Sequence, residues 1–216
     1  MSFETAADRD SGNIRKALKG LVAVAPYETS SVVTTLVGTG GQITLPTGFK
    51  SVGWISSDGA TESGDITTSE ITGWGSATPL RIDVTEASAT LQVSLLENSR
   101  LTRELYDSVD LSAKTVSTAG EVSYDIQAQP DVKYWRAIVI SVDGTGPTRR
   151  YWATAYHKVN VTDRDDFVNA NGDDPAARGV TLSASPDDVV GTLGTRFEFG
   201  PGFLARATDE GWTLAP

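Results

Sequence analysis

The chain has 216 residues, 39% of them hydrophobic, and its 18 basic and 28 acidic side chains give a formal net charge of −10. That apolar content suffices for one large or two small β domains with a core, and an acidic surface of this size disfavours tight DNA binding. The sequence has no cysteine, which excludes disulfides and thiolate chemistry. No apolar run approaches the ~20 residues that span a bilayer, and the polar N-terminus lacks a signal segment.

The first sixty residues give mixed signals. Residues 13–27 fit either one helical face or a short strand from Leu21 to Ala25. Residues 30–41 are rich in Thr, Val and Gly, which predicts a strand followed by a glycine turn. Residues 51–56 alternate and predict a further strand, which Asp58 and Gly59 end.

Residues 57–75 form a polar stretch rich in Ser, Thr and Gly. No Lys or Arg lies between Ser51 and Leu80. This composition predicts a long loop or an extended hairpin outside the core. The residues singled out here as a candidate contact surface are Asp58, Glu62, Asp65, Glu70 and Trp74.

Two alternating runs follow, and then the only helix that we predict. Residues 80–85 and 89–95 alternate apolar and polar side chains, which is typical of half-buried strands, and predict a hairpin that turns at 86–88. A helix is predicted over 99–107, because Asn98 or Ser99 can cap it and two leucines share a face at i, i+4.

The second half of the chain reads as strands. They are predicted at 120–128, 134–142, 148–161, 179–185 and 193–199. The second of these is apolar on both faces, so we expect it to be central. One short helix among so many strands predicts a mainly β, antiparallel sandwich or barrel with a single flanking helix.

No motif assembles into a catalytic site, a cofactor site or a metal site. The sequence has no G-x-S-x-G motif that would supply a nucleophilic serine for His157, its only histidine. His157 is therefore interpreted as a half-buried structural residue. The aspartates at 163, 165, 166, 173 and 174 lack the spacing of a calcium loop and read as a solvated acidic loop. A pair of carboxylates as in β-sandwich glycosidases stays open, but no spacing selects one.

Residues 45–62 resemble the major tail tube proteins of long-tailed bacteriophages, especially those of actinobacterial phages. That family has a strand and turn of the form G-aromatic-aliphatic-S-x-D-G-x-T-E before a polar loop. An I-x-x-W-G element, paired strands and a short helix come next. The matching stretches here are 71–75, 90–97 and 101–106, with 159–162 and 179–187 further on.

The resemblance implies a β-sandwich-like tail tube fold and a structural role without catalytic residues or cofactors. It implies hexameric rings that stack into the channel through which phage DNA passes without specific binding. Tape-measure, tail-tip and tail-terminator proteins are the expected partners. The protein is expected in the virion tail, after synthesis in the host cytoplasm and without contact to a membrane. We predict a flexible N-terminal arm (1–12), a tail tube domain (13–190) and a C-terminal strand and extension (191–216).

Two hypotheses follow from this reading. Edge-to-edge closure of six subunits forms a barrel whose negative bore repels DNA phosphates. The polar stretch 57–75 docks on the next ring and becomes ordered there, as does the N-terminal arm. The alternatives are an immunoglobulin-like adhesive or carbohydrate-binding module, with exposed Trp or Tyr, and a β-sandwich hydrolase.

Overall fold

A computed structural model describes residues 7, 9–169, 171 and 175–215. Residues 1–6 and 8 of the predicted arm, and two aspartates of the predicted acidic loop, lie outside this part. The described chain is mainly β, as predicted, and forms one antiparallel sheet. Its eight strands are β1 (Lys19–Pro26), β2 (Lys50–Ser51), β3 (Ile55–Thr72), β4 (Pro79–Leu95), β5 (Tyr134–Asp143), β6 (Arg150–Arg164), β7 (Arg178–Ala184) and β8 (Gly194–Phe199).

The strand order is β2-β1-β5-β6-β7-β4-β3, and β8 also pairs with β6. β6 therefore has two neighbours on one edge. Its residues Tyr151–Tyr156 pair with β8, and its residues Val159–Arg164 pair with β7. The sheet divides at this point into two halves, which differ in what covers them.

One face of the sheet, which we call the core face, encloses a single apolar cluster. Val22 of β1 and Leu91 of β4 belong to the same cluster although three strands separate β1 from β4 in the sheet. The sheet must curl for this to happen, so the predicted barrel-like architecture is confirmed. The largest members of the cluster are Leu91, Leu95, Leu105, Trp135, Tyr156 and Leu182.

The opposite face, which we call the outer face, is buried only over β1, β5 and the first part of β6. Ala23, Ile138 and Ala153 lie there in a second apolar cluster. Residues 27–49 cross this half of the face and add Val33, Leu36 and Phe49 to the cluster, and β8 adds Phe199. β5 is consequently buried on both faces, as its sequence predicted.

The predicted helix is present as α1 (Arg100–Asp107). The Ser99 side chain accepts a hydrogen bond from the Thr102 backbone N–H, and the Thr102 side chain accepts one from the Ser99 N–H, which completes a capping box. Leu105 packs into the core. A second, four-residue helix, α2 (Pro201–Leu204), follows β8. No helix in the described part of the chain has the length and apolarity needed to cross a membrane.

Several strand predictions were wrong. Residues 30–41 form no strand, and the single bridge there joins Val37 to Ile43. Residues 120–128 also lie outside any strand. The predicted turn at 86–88 is absent, because β4 runs unbroken from Pro79 to Leu95.

The segment predicted as a strand at 51–56 is divided between β2 and β3 by residues 52–54. Gly59, with φ 77, lies in a register shift of β3 instead of ending the strand. Residues 57–72 are therefore strand and not loop, and residues 73–75 lie in the turn at the end of β3. The alternative interpretation, an extended hairpin, is confirmed, since β3 and β4 pair along almost their whole length.

Candidate functional site

The β3–β4 hairpin extends beyond the body of the domain. β4 pairs with β7 only from Thr90 to Leu95, whereas it pairs with β3 as far as Pro79. Residues 64–89, which we call the hairpin arm, are therefore a two-stranded projection. At about 3.3 Å per residue, the nine residues from Gly64 to Thr72 give it a length of about 30 Å.

The core face of the sheet continues along this arm. Leu91 in the core is paired with Glu62, and Ile66 is paired with Ala87 on the same face. A bulge at Thr85, whose hydroxyl donates to the Thr67 carbonyl at 3.1 Å, shifts the register by one residue. The shift keeps Val84, and Ile82 two residues further along, on the core face.

Four large aliphatic side chains consequently extend the core pattern into solvent. Their exposed fractions are 64% for Ile66, 70% for Leu80, 58% for Ile82 and 64% for Val84. We call these four residues the apolar stripe. A contiguous exposed apolar patch with polar neighbours is typical of a protein interface, and no element within the described chain packs over it.

The edge and the tip of the arm are also open. Within the described residues no strand pairs with the second edge of β3, which runs from Ile55 to Thr72. A long free edge presents unpaired backbone N–H and C=O groups to any neighbouring strand. Trp74 lies fully exposed in the turn at the tip. All three features favour contact with another chain.

The outer face of this half of the sheet is polar. The strand register places Thr61, Ser63 and Asp65 of β3 beside Gln92, Thr90 and Ser88 of β4. The same face continues through Thr181 and Ser183 of β7 to Asn160 and Asp163 of β6. We call this surface the polar face. Mostly short hydroxyl, amide and carboxylate groups occupy it where the other half of the sheet carries an apolar cluster. Ile71, paired with Arg81 near the tip, is an exposed aliphatic residue on this face.

Charge on the polar face is negative. Among the described residues its carboxylates are Asp65, Asp83, Glu86, Asp163 and Asp165, which lies opposite Gly179, and its cation is Arg81, so five negative charges and one positive charge leave −4. Arg81 Nε donates to Asp83 Oδ1 at 2.8 Å, so the cation is already neutralised locally. A phosphate backbone passing this surface meets net repulsion.

The predicted contact residues do not converge on one point. Glu62 lies on the core face, where its Oε1 accepts a hydrogen bond from Tyr156 Oη at 2.9 Å. Burial and this carboxylate raise the pKa of Tyr156. Asp65 lies on the polar face, Glu70 is paired with Ile82, and Trp74 is at the tip.

Asp58, the fifth predicted residue, is at the base of β3 beside Gly59. The apolar stripe was missed as a surface, although its alternation is visible in the sequence. Alternation tells which side chains share a face, but it does not tell whether another element covers that face.

Two of the buried polar side chains, His157 and Arg136, have structural partners within the chain. His157 is buried and its ring nitrogens lie 3.1 Å from the hydroxyls of Thr192 and Thr195. Arg136 forms a buried ion pair with Asp187 at 2.9 Å. Within the described residues no group of His, Asp or Glu side chains is arranged to hold a metal ion.

The C-terminal residues are tied to the domain by charge. Arg150 binds Glu198 of β8 and Glu210 beyond α2, and both contacts raise the pKa of its guanidinium. Arg15 contacts the same Glu210 at 3.3 Å, so the two ends of the chain meet here.

Comparison with known proteins places the chain in a family. Two solved structures are similar in part. One is a chain of the anti-feeding prophage baseplate, determined by cryo-EM and 6-fold symmetrised. Its sequence is 10% identical, the match covers 88% of this chain and 97% of that chain, and the TM-score is 0.41. The other is an Hcp protein, with 9% identity, 82% and 97% covered, and a TM-score of 0.32. No curated protein matches the sequence. The model of the phage tail tube protein family matches residues 7–190, and the chain therefore belongs to that family of structural tail proteins.

Proposed function

We propose that this tail tube subunit builds its tube by using the hairpin arm between copies and the polar face as the wall of the bore. The apolar stripe is the observation that carries the proposal. Four exposed aliphatic side chains that continue the core pattern are stabilised when a second copy covers them. The free edge of β3 adds backbone groups that a neighbouring strand can pair.

The ring is six-membered in this proposal, in line with the family resemblance. Edge-to-edge closure removes the exposed strand edge of each copy and makes the sheets into one continuous wall. The core face turns away from the axis, because it carries the apolar residues. The polar face then lines the bore, where its net negative charge lets DNA pass without adhering.

Deletion of the arm tests this assembly. Residues 66–87 are replaced by Asn-Gly, which joins the paired residues Asp65 and Ser88 through a two-residue turn and preserves the register. We expect a folded monomer, verified by near-UV circular dichroism, that forms no tubes by negative-stain microscopy. Tubes of normal length from this variant would contradict the proposal.

The bore assignment has a separate test. Asp65→Lys with Glu86→Lys changes the polar face by four charge units per copy and leaves the apolar stripe intact. We expect tubes that retain DNA in a gel-retardation assay at low salt, where the unmodified tube does not. Equal DNA retention by both tubes would show that this face does not line the bore.

The proposal also includes the partners that the family resemblance implies. These are the tape-measure, tail-tip and tail-terminator proteins, which act on the ends and the length of the tube. It further includes synthesis in the host cytoplasm before incorporation into the virion tail, and a role without catalysis. Co-purification of the chain with the other tail proteins from infected cells tests the partners.

A further inference from the structure

A second exposed apolar surface lies on the segment that connects α1 to β5. This connecting segment, residues 112–133, contains Val116, Val122, Ile126 and Val132, whose exposed fractions are 65%, 40%, 94% and 64%. It forms no helix or strand over these 22 positions. Like the hairpin arm, this segment leaves its aliphatic side chains exposed to solvent.

The connecting segment is attached to the domain without being paired. Tyr124 Oη donates to Asp107 Oδ2 at 2.9 Å, and Lys133 Nζ donates to the Val109 carbonyl at 3.3 Å. Among the described residues, no backbone N–H from 122 to 132 donates a hydrogen bond. The alternating sequence that predicts a strand at 120–128 therefore lacks the partner that a strand needs.

Ring symmetry explains why one subunit carries two such surfaces. A heterologous, head-to-tail contact joins two different patches, so every copy must present both of them. The apolar stripe of the arm is one set of exposed aliphatic side chains, and the connecting segment carries another. Each is polar at its margins, as docking surfaces are.

The charges beside the two patches are complementary. Glu70 lies on the same face as the apolar stripe, paired with Ile82, and is exposed. Lys114 is exposed next to the first valine of the connecting segment. Neither side chain has an ion-pair partner within the described part of the chain.

We propose that the connecting segment of one copy covers the apolar stripe of the next copy, with Lys114 facing Glu70. This deepens the proposed function by naming the surface that the arm binds, and it depends on that function because it requires copies to associate. Val122 and Ile126 pack against Ile82 and Val84 across the contact. The free backbone N–H groups of the segment gain acceptors on the neighbour.

The absence of cysteine from the chain allows a direct cross-linking test. Chains carrying Ile82→Cys are mixed with chains carrying Ile126→Cys, assembled and oxidised. We expect a reducible band of twice the chain mass. The matched control is Asp83→Cys mixed with Ile126→Cys, since Asp83 is adjacent to Ile82 but lies on the opposite face of the strand, and it should give little of this band. Each cysteine variant is also oxidised alone, which measures the disulfide-linked dimers that two copies of the same variant form, and this background is subtracted.

The outcomes separate this inference from the proposed function. Tubes that form while the first pair cross-links no better than the control would overturn the inference and leave tube assembly intact. A wild-type chain that never assembles would overturn both. A charge exchange gives a second readout: Glu70→Lys and Lys114→Glu should each raise the critical concentration for assembly about twofold to fivefold, and the double variant should restore it. Loss without restoration in the double variant would count against the contact.

Discussion

The two halves of the outer face contrast within one sheet. Over β1, β5 and the first part of β6, the outer face is apolar, and residues 27–49 cover it. Over β3, β4, β7 and the last part of β6, the same face is polar and open. The first half stabilises the domain, whereas the second half leaves a whole surface exposed, which we propose to serve assembly. We call them the covered half and the open half.

The contrast also explains the position of the acidic residues. The covered half contains charges only as a compensated pair, Arg136 and Asp187, or at its margins. Among the described residues the open half contains four carboxylates without an ion pair, Asp65, Glu86, Asp163 and Asp165, which cost little because water solvates them. A net charge that is unfavourable for a core is thus carried on the face that we propose to line the bore.

The largest expected effect is on the buried ion pair. Asp187→Ala leaves Arg136 buried without its partner, so we expect the free energy of unfolding to fall by about 3–5 kcal/mol. Asp65→Ala in the open half is the matched control and should change it by less than about 0.5 kcal/mol. Urea denaturation of the monomeric chain measures both. Equal effects of the two substitutions would abolish the distinction between the halves.

A second pair of substitutions compares isoleucines. Ile138→Ala in the covered half removes a fully buried side chain and should cost about 3 kcal/mol of unfolding free energy. Ile82→Ala on the apolar stripe should leave the monomer stable within about 0.5 kcal/mol, because Ile82 is 58% exposed. The same change should weaken assembly. A monomer destabilised equally by both substitutions would mean that the arm packs within its own chain.

The smallest effect is the pH dependence of stability, which arises in the covered half. Burial opposes ionisation of Asp187, but hydrogen bonds from the Val190 and Val189 N–H groups and from Arg136 outweigh it and lower its pKa to about 2. Its ordinary value is 3.8, so its contribution is complete above that pH and is lost as the pH falls towards 2. Burial lowers the pKa of His157 from 6.5, so its contribution is lost as the pH falls below 6.5.

Thermal unfolding between pH 2 and pH 8 should therefore show two successive losses of stability on acidification. Asp187→Asn should remove the lower one, and His157→Gln the upper one. An unchanged upper step in the His157 variant would assign that step to another group.

Elements with local signals could be predicted from the sequence. β5 is apolar on both faces and α1 has its own cap at Ser99, so neither depends on distant residues for recognition. Residues 30–41 and 120–128 have strand-like patterns, but a strand also requires a partner, and the pattern does not contain one. In the first case the segment covers a sheet face, and in the second no strand of the described residues pairs with it.

The candidate site was only partly predictable. The extended-hairpin interpretation of residues 57–75 was correct, whereas their role as a contact region stays a prediction. The single strand from Pro79 to Leu95 was divided in two, because the bulge at Thr85 interrupts the alternation. That division made Leu80, Ile82 and Val84 one face of a half-buried strand. Only the pairing of β4 with β7, which stops at Thr90, shows that they lie outside it.

A cryo-EM reconstruction of the assembled tube tests the central claim most directly. The account predicts that Asp65, Thr90 and Ser183 point towards the tube axis and that a neighbouring copy covers Ile82. A tube in which the polar face points outwards, or in which the apolar stripe remains in solvent, would contradict it.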